Sequence, residues 1–355
     1  MKPTGTVVGH VLLLFGAVLL AALGAAPTGA QQPVKIFMVP KFTGAAYFAA
    51  TEKGAREAVA ELKGRGVAVD FLYTGPSVAN TDEEIRIIDD LIAQRPAALI
   101  ISANDAEALV PVARKAKAAG MKVVTYDADV ADSAARQWFV NQATFTGVGA
   151  ALIDVVAEQA GRSARFAIVS ADPGAFNQNS WIEAMKARVR ERYPSMKLVD
   201  IRYGYDKPAE SFSVAQDLIN RYRGQLDAII APTSVALPKV AEAVEQAGLA
   251  GKIVVTGLST PNDMREFVKK GTVKTVVLWN PVDLGYLAVY VAQASVAGTL
   301  KDTGKQTVRA GRLGTRDALP ELRDITAKGP LTLRNVIVLG PPFRFTRENI
   351  DRFNF

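Results

Sequence analysis

The residues of this chain best suited to chemistry are carboxylates, carboxamides and one lysine that follow short apolar runs. The sharpest instance is Asp127-Ala128-Asp129, which closes the strand-like run Lys122–Asp127. A carboxylate there has three uses. It accepts hydrogen bonds from ligand hydroxyls, it forms half of a paired-carboxylate hydrolase, or it caps the segment that follows. We expect Asp127 to be the acceptor, with Asp129 beside it. Lys41 either donates to a ligand oxygen or pairs with Asp127 across an empty cleft. Asn104, Asn177, Gln178, Thr233, Ser234 and Asn280 add polar groups at equivalent places. Phe42, Tyr47, Phe48, Trp181 and Trp279 are interleaved with them, and Pro232 precedes Thr233. Hydrogen-bonding groups beside flat apolar faces suit a polyhydroxylated ring.

Two absences close much of the hydrolase repertoire. The 355 residues include no cysteine, and the one histidine, His10, falls within the expected N-terminal signal. Thiol chemistry, disulfides, zinc sites and a Ser-His-Asp triad are therefore not expected. We expect no catalytic residues, no cofactor and no metal. A glycosidase would need two carboxylates facing one bond, and only Asp127 is well placed. Gly147-Val148-Gly149 begins like a dinucleotide fingerprint, but Leu152 stands where the third glycine belongs, so it reads as a close-packed helix start. Gly304-Lys305 is followed by Gln306 instead of Ser or Thr and reads as a polar turn. Asp82-Glu83-Glu84 and Asp89-Asp90 read as a helix N-terminus and a solvated face.

These residues need elements to position them, and the elements alternate. Strand patterns at Val34–Val39, Val67–Tyr73, Ala98–Ser102 and Lys122–Asp127 are separated by helical patterns, with Ile85, Ile88, Leu91 and Ile92 on one face of the second. The rhythm restarts after Trp138–Gln142, with strands at Arg165–Ser170, Leu198–Tyr203, Ala228–Ala231, Ile253–Leu258 and Val273–Trp279. Val282–Ala297 reads as a further helix, and the stretch from Gly298 is irregular until Asn335–Leu339. Strands and helices in this alternation make parallel, doubly wound α/β sheets. Two successive halves follow, with no flexible linker between them. In such sheets ligands sit beyond the carboxyl ends of the strands, where the polar residues named above fall.

Composition bounds the setting. Lys2, the apolar run Val11–Ala26 and the small residues ending at Ala30 have the layout of a cleaved signal peptide over 1–30, an uncleaved anchor being the alternative. About 325 residues would remain, enough for two cores. Charged residues at 22% and apolar residues at 49% are ordinary, and the net charge of +7 is spread along the chain. With an export signal, that charge reads as a basic surface and no nucleic-acid partner is expected. A sugar-responsive repressor shares this fold class but would begin with a helix-turn-helix.

At these positions the chain resembles the type I periplasmic sugar-binding proteins, in the branch of the rhamnose-binding and autoinducer-2-binding proteins. The resemblance is carried by Val39-Pro40-Lys41-Phe42, Ser102-Ala103-Asn104-Asp105, Thr125-Tyr126-Asp127-Ala128-Asp129, Asn177-Gln178-Asn179 with Trp181, and Ala231-Pro232-Thr233. It continues through Thr256-Gly257-Leu258, the run Trp279–Tyr286, Ala310-Gly311-Arg312 and Asn349–Phe353. It implies two Rossmann-like lobes joined by a three-crossing hinge: 33–141 with 281–303, and 142–280 with 304–355. It also implies a periplasmic, monomeric capture protein that serves the membrane permease of an ABC importer. Ligand contacts in the autoinducer-2 proteins correspond to Lys41, Asp127, Asn177, Gln178, Pro232 and Ser234. This chain departs at Asn177, where they carry Asp, and at Thr233-Ser234, where they carry Asp-Ala. The departures resemble the rhamnose-binding proteins and favour a deoxyhexose, with autoinducer-2 as the alternative.

Overall fold

Short strands of small and β-branched residues, buried on both faces, build the centre of the molecule. In the computed structural model, which describes residues 32–355 together with Met1, Pro3 and Gly5, they alternate with helices through most of the chain. The expected signal segment, with its apolar run and cleavage point near Ala30, lies outside the described residues.

The first half runs β1 (Val34–Val39), α1 (Ala46–Gly64), β2 (Val69–Tyr73), α2 (Thr81–Ala93), β3 (Ala98–Ile101), α3 (Val110–Ala118), β4 (Lys122–Tyr126) and β5 (Trp138–Asn141). The second runs α4 (Phe145–Ala160), β6 (Arg165–Ser170), α5 (Phe176–Arg192), β7 (Lys197–Tyr203), α6 (Pro208–Arg221), β8 (Ala228–Ala231), α7 (Ala236–Gln246), β9 (Val254–Gly257), α8 (Pro261–Lys270) and β10 (Val276–Leu278). α9 (Pro281–Val296), β11 (Gln306–Arg309), β12 (Thr315–Thr326), β13 (Gly329–Val338) and β14 (Phe343–Phe345) complete the chain. Local signals set the ends. In α8, Thr260 accepts from the Asp263 N–H, Pro261 occupies the first turn and Gly271, at φ 85°, closes the helix.

Strand order exposes a repeat that residue identities hide. β2-β1-β3-β4-β5 are parallel neighbours in the first sheet, and β7-β6-β8-β9 repeat the order 2-1-3-4 in the second. β10 continues the second sheet through the bridge of Val277 to Leu258 and pairs antiparallel with β14. The α/β class with mostly parallel sheets is as expected from the alternation. Between the sheets the chain passes at 141–145, at 278–281 and at 338–343.

The expected second half includes 304–355, most of it irregular. The strand pairing divides it: β13 lies parallel to β5, with β12 and β11 added outside it on the first sheet, while β14 joins β10. The β12–β13 hairpin also reaches the second half. Asp324 accepts from the Phe145 N–H at 2.6 Å and from the Thr146 N–H at 2.9 Å, capping α4 where the chain enters that half. α9 returns to the first half and packs on α1 backbone to backbone. A Cβ on Gly54 would stand 1.7 Å from the Val282 carbonyl, and one on Gly285 would stand 1.9 Å from that of Thr51. Gly149 packs α4 against α5, where a Cβ would stand 2.5 Å from that of Ala184, in keeping with a helix start and not a nucleotide site.

Candidate functional site

The carboxyl ends of both sets of strands converge on one cleft, with an empty volume of about 430 Å³. From the first half, β1 delivers Lys41 and Phe42, the first turn of α1 brings Tyr47 and Phe48, and β4 ends at Asp127. From the second, α5 presents Gln178 and Trp181, the β8 end presents Pro232, Thr233 and Ser234, and β9 and β10 end at Leu258, Leu278 and Trp279. Asp206, beyond β7, completes the wall.

Asp127 is the best-supported polar group in the cleft. Its backbone sits at φ 59°, a left-handed region that Asp tolerates better than most residues and that recurs at functional sites. The Tyr47 hydroxyl donates to Oδ1 at 2.9 Å and the Ser102 hydroxyl to Oδ2 at 2.9 Å. Trp279 Nε1 donates in turn to the Tyr47 oxygen at 2.9 Å, so both aromatic rings are fixed by the same chain of bonds. Trp279 also meets Tyr47 edge-on and lies 5.8 Å from Trp181. Burial pushes the Asp127 carboxyl above its ordinary value, against the charge of Lys41 and the two hydroxyl donors, which pull it down. Each carboxylate oxygen keeps lone-pair capacity for a ligand hydroxyl. Among the described residues Lys41 makes no ion pair within 4.0 Å, so it is not spent on Asp127. Gln178 Oε1 and Trp181 Nε1 are buried without hydrogen-bond partners among the described residues. An acceptor and a donor facing a cleft in this state are what an oxygen-rich ligand would satisfy.

Asp206 was not singled out from sequence, although it lies three residues after the expected strand end at Tyr203. Thr233 donates its hydroxyl to Asp206, whose carboxyl burial raises and whose neighbours Thr233 and Lys41 lower. Gly204 and Tyr205 separate it from the strand, so it does not show as a strand-end residue.

Four expected ligand contacts bond to neighbours, although Asn177 keeps a buried Oδ1 without a partner among the described residues. Asp129 turns away into a buried pair with Arg136, at 2.6 Å. Asn177 donates across the halves to the backbone oxygen of Asp127 at 2.8 Å. Asn280 caps α9 by accepting from the Val282 and Asp283 N–H groups. Asn104 donates to the Lys41 carbonyl at 2.6 Å and to Glu84 at 2.8 Å, holding the lysine's loop from behind. These residues position the cleft; none lines its wall.

Glu84 corrects the reading of its acidic cluster. Asp82 and Glu83 lie in the first turn of α2, but Glu84 is fully buried and accepts from both the N–H and the side chain of Asn104. Burial raises its pKa to about 8, against the lowering by Asn104 and Lys41. The folded state therefore holds a proton that the unfolded chain releases near the ordinary value, so stability falls as pH rises toward 8. Between pH 6 and 8 the loss is about 2 kcal/mol. Thermal melts of Glu84→Gln are expected to lack this alkaline decline; an unchanged slope would mean the carboxyl is not protonated in the folded protein.

Residues 36–300 match a family model described as periplasmic binding protein domain. Among solved structures, a sugar ABC transporter protein of Actinomyces odontolyticus is 33% identical, with a TM-score of 0.71 and coverage of 90% of this chain and 97% of that one. An ABC transporter solute-binding protein of Clostridium phytofermentas with bound L-rhamnose is 28% identical, with a TM-score of 0.80 and coverage of 90% and 98%. The D-ribose/D-allose-binding protein of Pseudomonas aeruginosa is 26% identical over 272 residues, 73% of this chain and 83% of that protein.

Proposed function

The chain belongs to the periplasmic binding protein domain family, and from that premise we propose that it captures a small sugar outside the cytoplasm for an ABC importer. A rhamnose-like deoxyhexose is the favoured ligand, the protein working as an exported monomer whose halves close about the three crossings. One observation carries this reading. Asp127, Lys41, Gln178, Asp206 and Thr233 face the same space as Trp181, Trp279, Phe42 and Phe48, so hydroxyls and a ring's apolar face are provided for together. The bound L-rhamnose of the Clostridium protein supports the choice of sugar.

A micromolar dissociation constant needs about 8 kcal/mol. Four or five polar contacts of about 1–1.5 kcal/mol each, with one or two stacked aromatics, reach that figure. The test is a thermal-shift screen of the protein against monosaccharides and autoinducer-2. Ligand at a hundredfold excess over Kd stabilises by about 2.7 kcal/mol, a rise of several degrees. We expect L-rhamnose to stand clear of the panel. A shift with autoinducer-2 alone would replace the sugar, and no shift with any compound would remove the capture function. Asp206 gives the cleft a second carboxylate, so release of product from aryl glycosides would favour a hydrolase instead.

A further inference from the structure

Residues 171–175, between β6 and α5, and the first turn of α5 lie against the first half at two points. At one, Gly174 faces Asp105, and a Cβ on the glycine would stand 2.8 Å from Asp105 Oδ2. That carboxylate is not free to swing aside, because its other oxygen accepts from the Glu107 and Ala108 N–H groups, each at 2.9 Å. Gly174 lies outside the left-handed region, so close approach, not backbone conformation, is what suits glycine here. At the other point Asn177, 1% exposed, donates its side-chain N–H to the Asp127 carbonyl at 2.8 Å.

Asp127 is thereby held from both halves. Its carboxylate faces the cleft and is fixed by Tyr47 and Ser102 of the first half. Its carbonyl receives Asn177 of the second half. A bond that forms only when the halves meet favours the closed arrangement, and this one forms on the residue that carries the ligand acceptor. Asn177 itself lines no part of the cleft. We propose that Asn177 is a closing latch and that Gly174 gives it room to engage, so that together they set how slowly a bound sugar leaves. The ligand in this proposal rests on the sugar-binding reading above; the latch rests on the contacts between the halves.

Two measurements on the full protein test it. The first is release of the monosaccharide with the largest thermal shift, followed by stopped-flow tryptophan fluorescence, since Trp181 and Trp279 line the cleft. The second is the distance between spin labels on α2 and α6. The chain has no cysteine, so Arg86→Cys and Asp217→Cys, both at exposed positions, give a single label pair. Asn177→Ala is expected to speed release about 3–10-fold, the scale of one neutral hydrogen bond, with little change in the association rate. It should also lengthen the label distance in the ligand-free protein. Asn177→Asp separates a latch from a ligand contact, because it keeps an acceptor but sets a second oxygen against the Asp127 carbonyl. Release at least as fast as from the alanine variant is expected; affinity at or above wild type would make Asn177 a ligand contact and overturn the latch. Gly174→Ala removes no hydrogen bond and is expected to speed release by holding residues 105 and 174 apart, so it decides the matter if the Asn177 variants do not fold. Wild-type release and distances in Asn177→Ala and Gly174→Ala would overturn the proposal while leaving sugar capture intact. If no monosaccharide binds, the sugar reading falls and the ligand-free distances alone uphold or overturn the latch.

Discussion

Asp127→Ala is expected to abolish measurable sugar binding while leaving a folded protein. The substitution removes two oxygens that face the cleft and take the Tyr47 and Ser102 hydroxyls. Hydrogen bonds to a charged group contribute about 1.5–3 kcal/mol each, so losing two to ligand weakens binding by about 3–6 kcal/mol. That moves a micromolar site beyond calorimetric detection. The loss extends past the direct contacts. Without the carboxylate the Tyr47 hydroxyl has no fixed acceptor, and Trp279, which donates to Tyr47, loses its orientation. Folding should suffer less, because burial already disfavours the charge, as the raised carboxyl pKa reflects. Asp127→Asn is the companion measurement, since Asn tolerates the same φ of 59°. It keeps the shape but turns one acceptor into a donor facing a hydroxyl. Calorimetry and thermal melts on both variants give the answer, and wild-type affinity in either would remove Asp127 from the site.

How much of this was legible in the residues depends on what each position required. Strand ends could be read because β3 and β8 are continuous apolar runs, Ala98–Ile101 and Ala228–Ala231, bounded by polar residues. That placed Lys41, Asp127, Gln178 and Thr233 on the right edge of the sheets. It could not say which way a side chain turns from that edge. Asn104, Asp129, Asn177 and Asn280 occupy strand ends or helix starts yet serve neighbours, because a carboxamide or carboxylate there can satisfy backbone and side-chain partners as well as ligand. The β12–β13 hairpin was illegible for a different reason. β12 carries Pro320 and a charge at nearly every second or third position, and much of it is half-exposed. Its strand character comes from pairing with β13, which in turn lies against β5, and such pairing leaves little trace in local pattern. Asp324 shows the limit most clearly, capping a helix whose first residue is 179 positions away.

The same limit applies to Asp129, whose role is expected to emerge as stability and not as binding. Arg136, its side chain fully buried, donates through Nε at 2.8 Å and Nη2 at 2.6 Å to the two oxygens of Asp129. Its Nη1 donates to the carbonyls of Arg334 and Asn335, tying the loop after β4 to β13. Thr125 and the Val130 N–H complete the shell of Asp129. Such a pair gives little net stability against an apolar replacement of both partners, yet removing one partner strands a buried charge at about 3–5 kcal/mol. Arg136→Met should therefore lower the unfolding free energy by about that amount, and Arg136→Lys should recover little, since an ammonium cannot reproduce the fork. The double variant Asp129→Leu, Arg136→Met should recover much of the loss, because no lone charge remains. Denaturant titrations of the three variants measure this, and calorimetry below their melting points measures the other half. Sugar affinity is expected to stay near wild type in each, because neither residue lines the cleft. A variant that stays stable but loses its ligand would return Asp129 to the binding site and leave Asp127 as one of a pair.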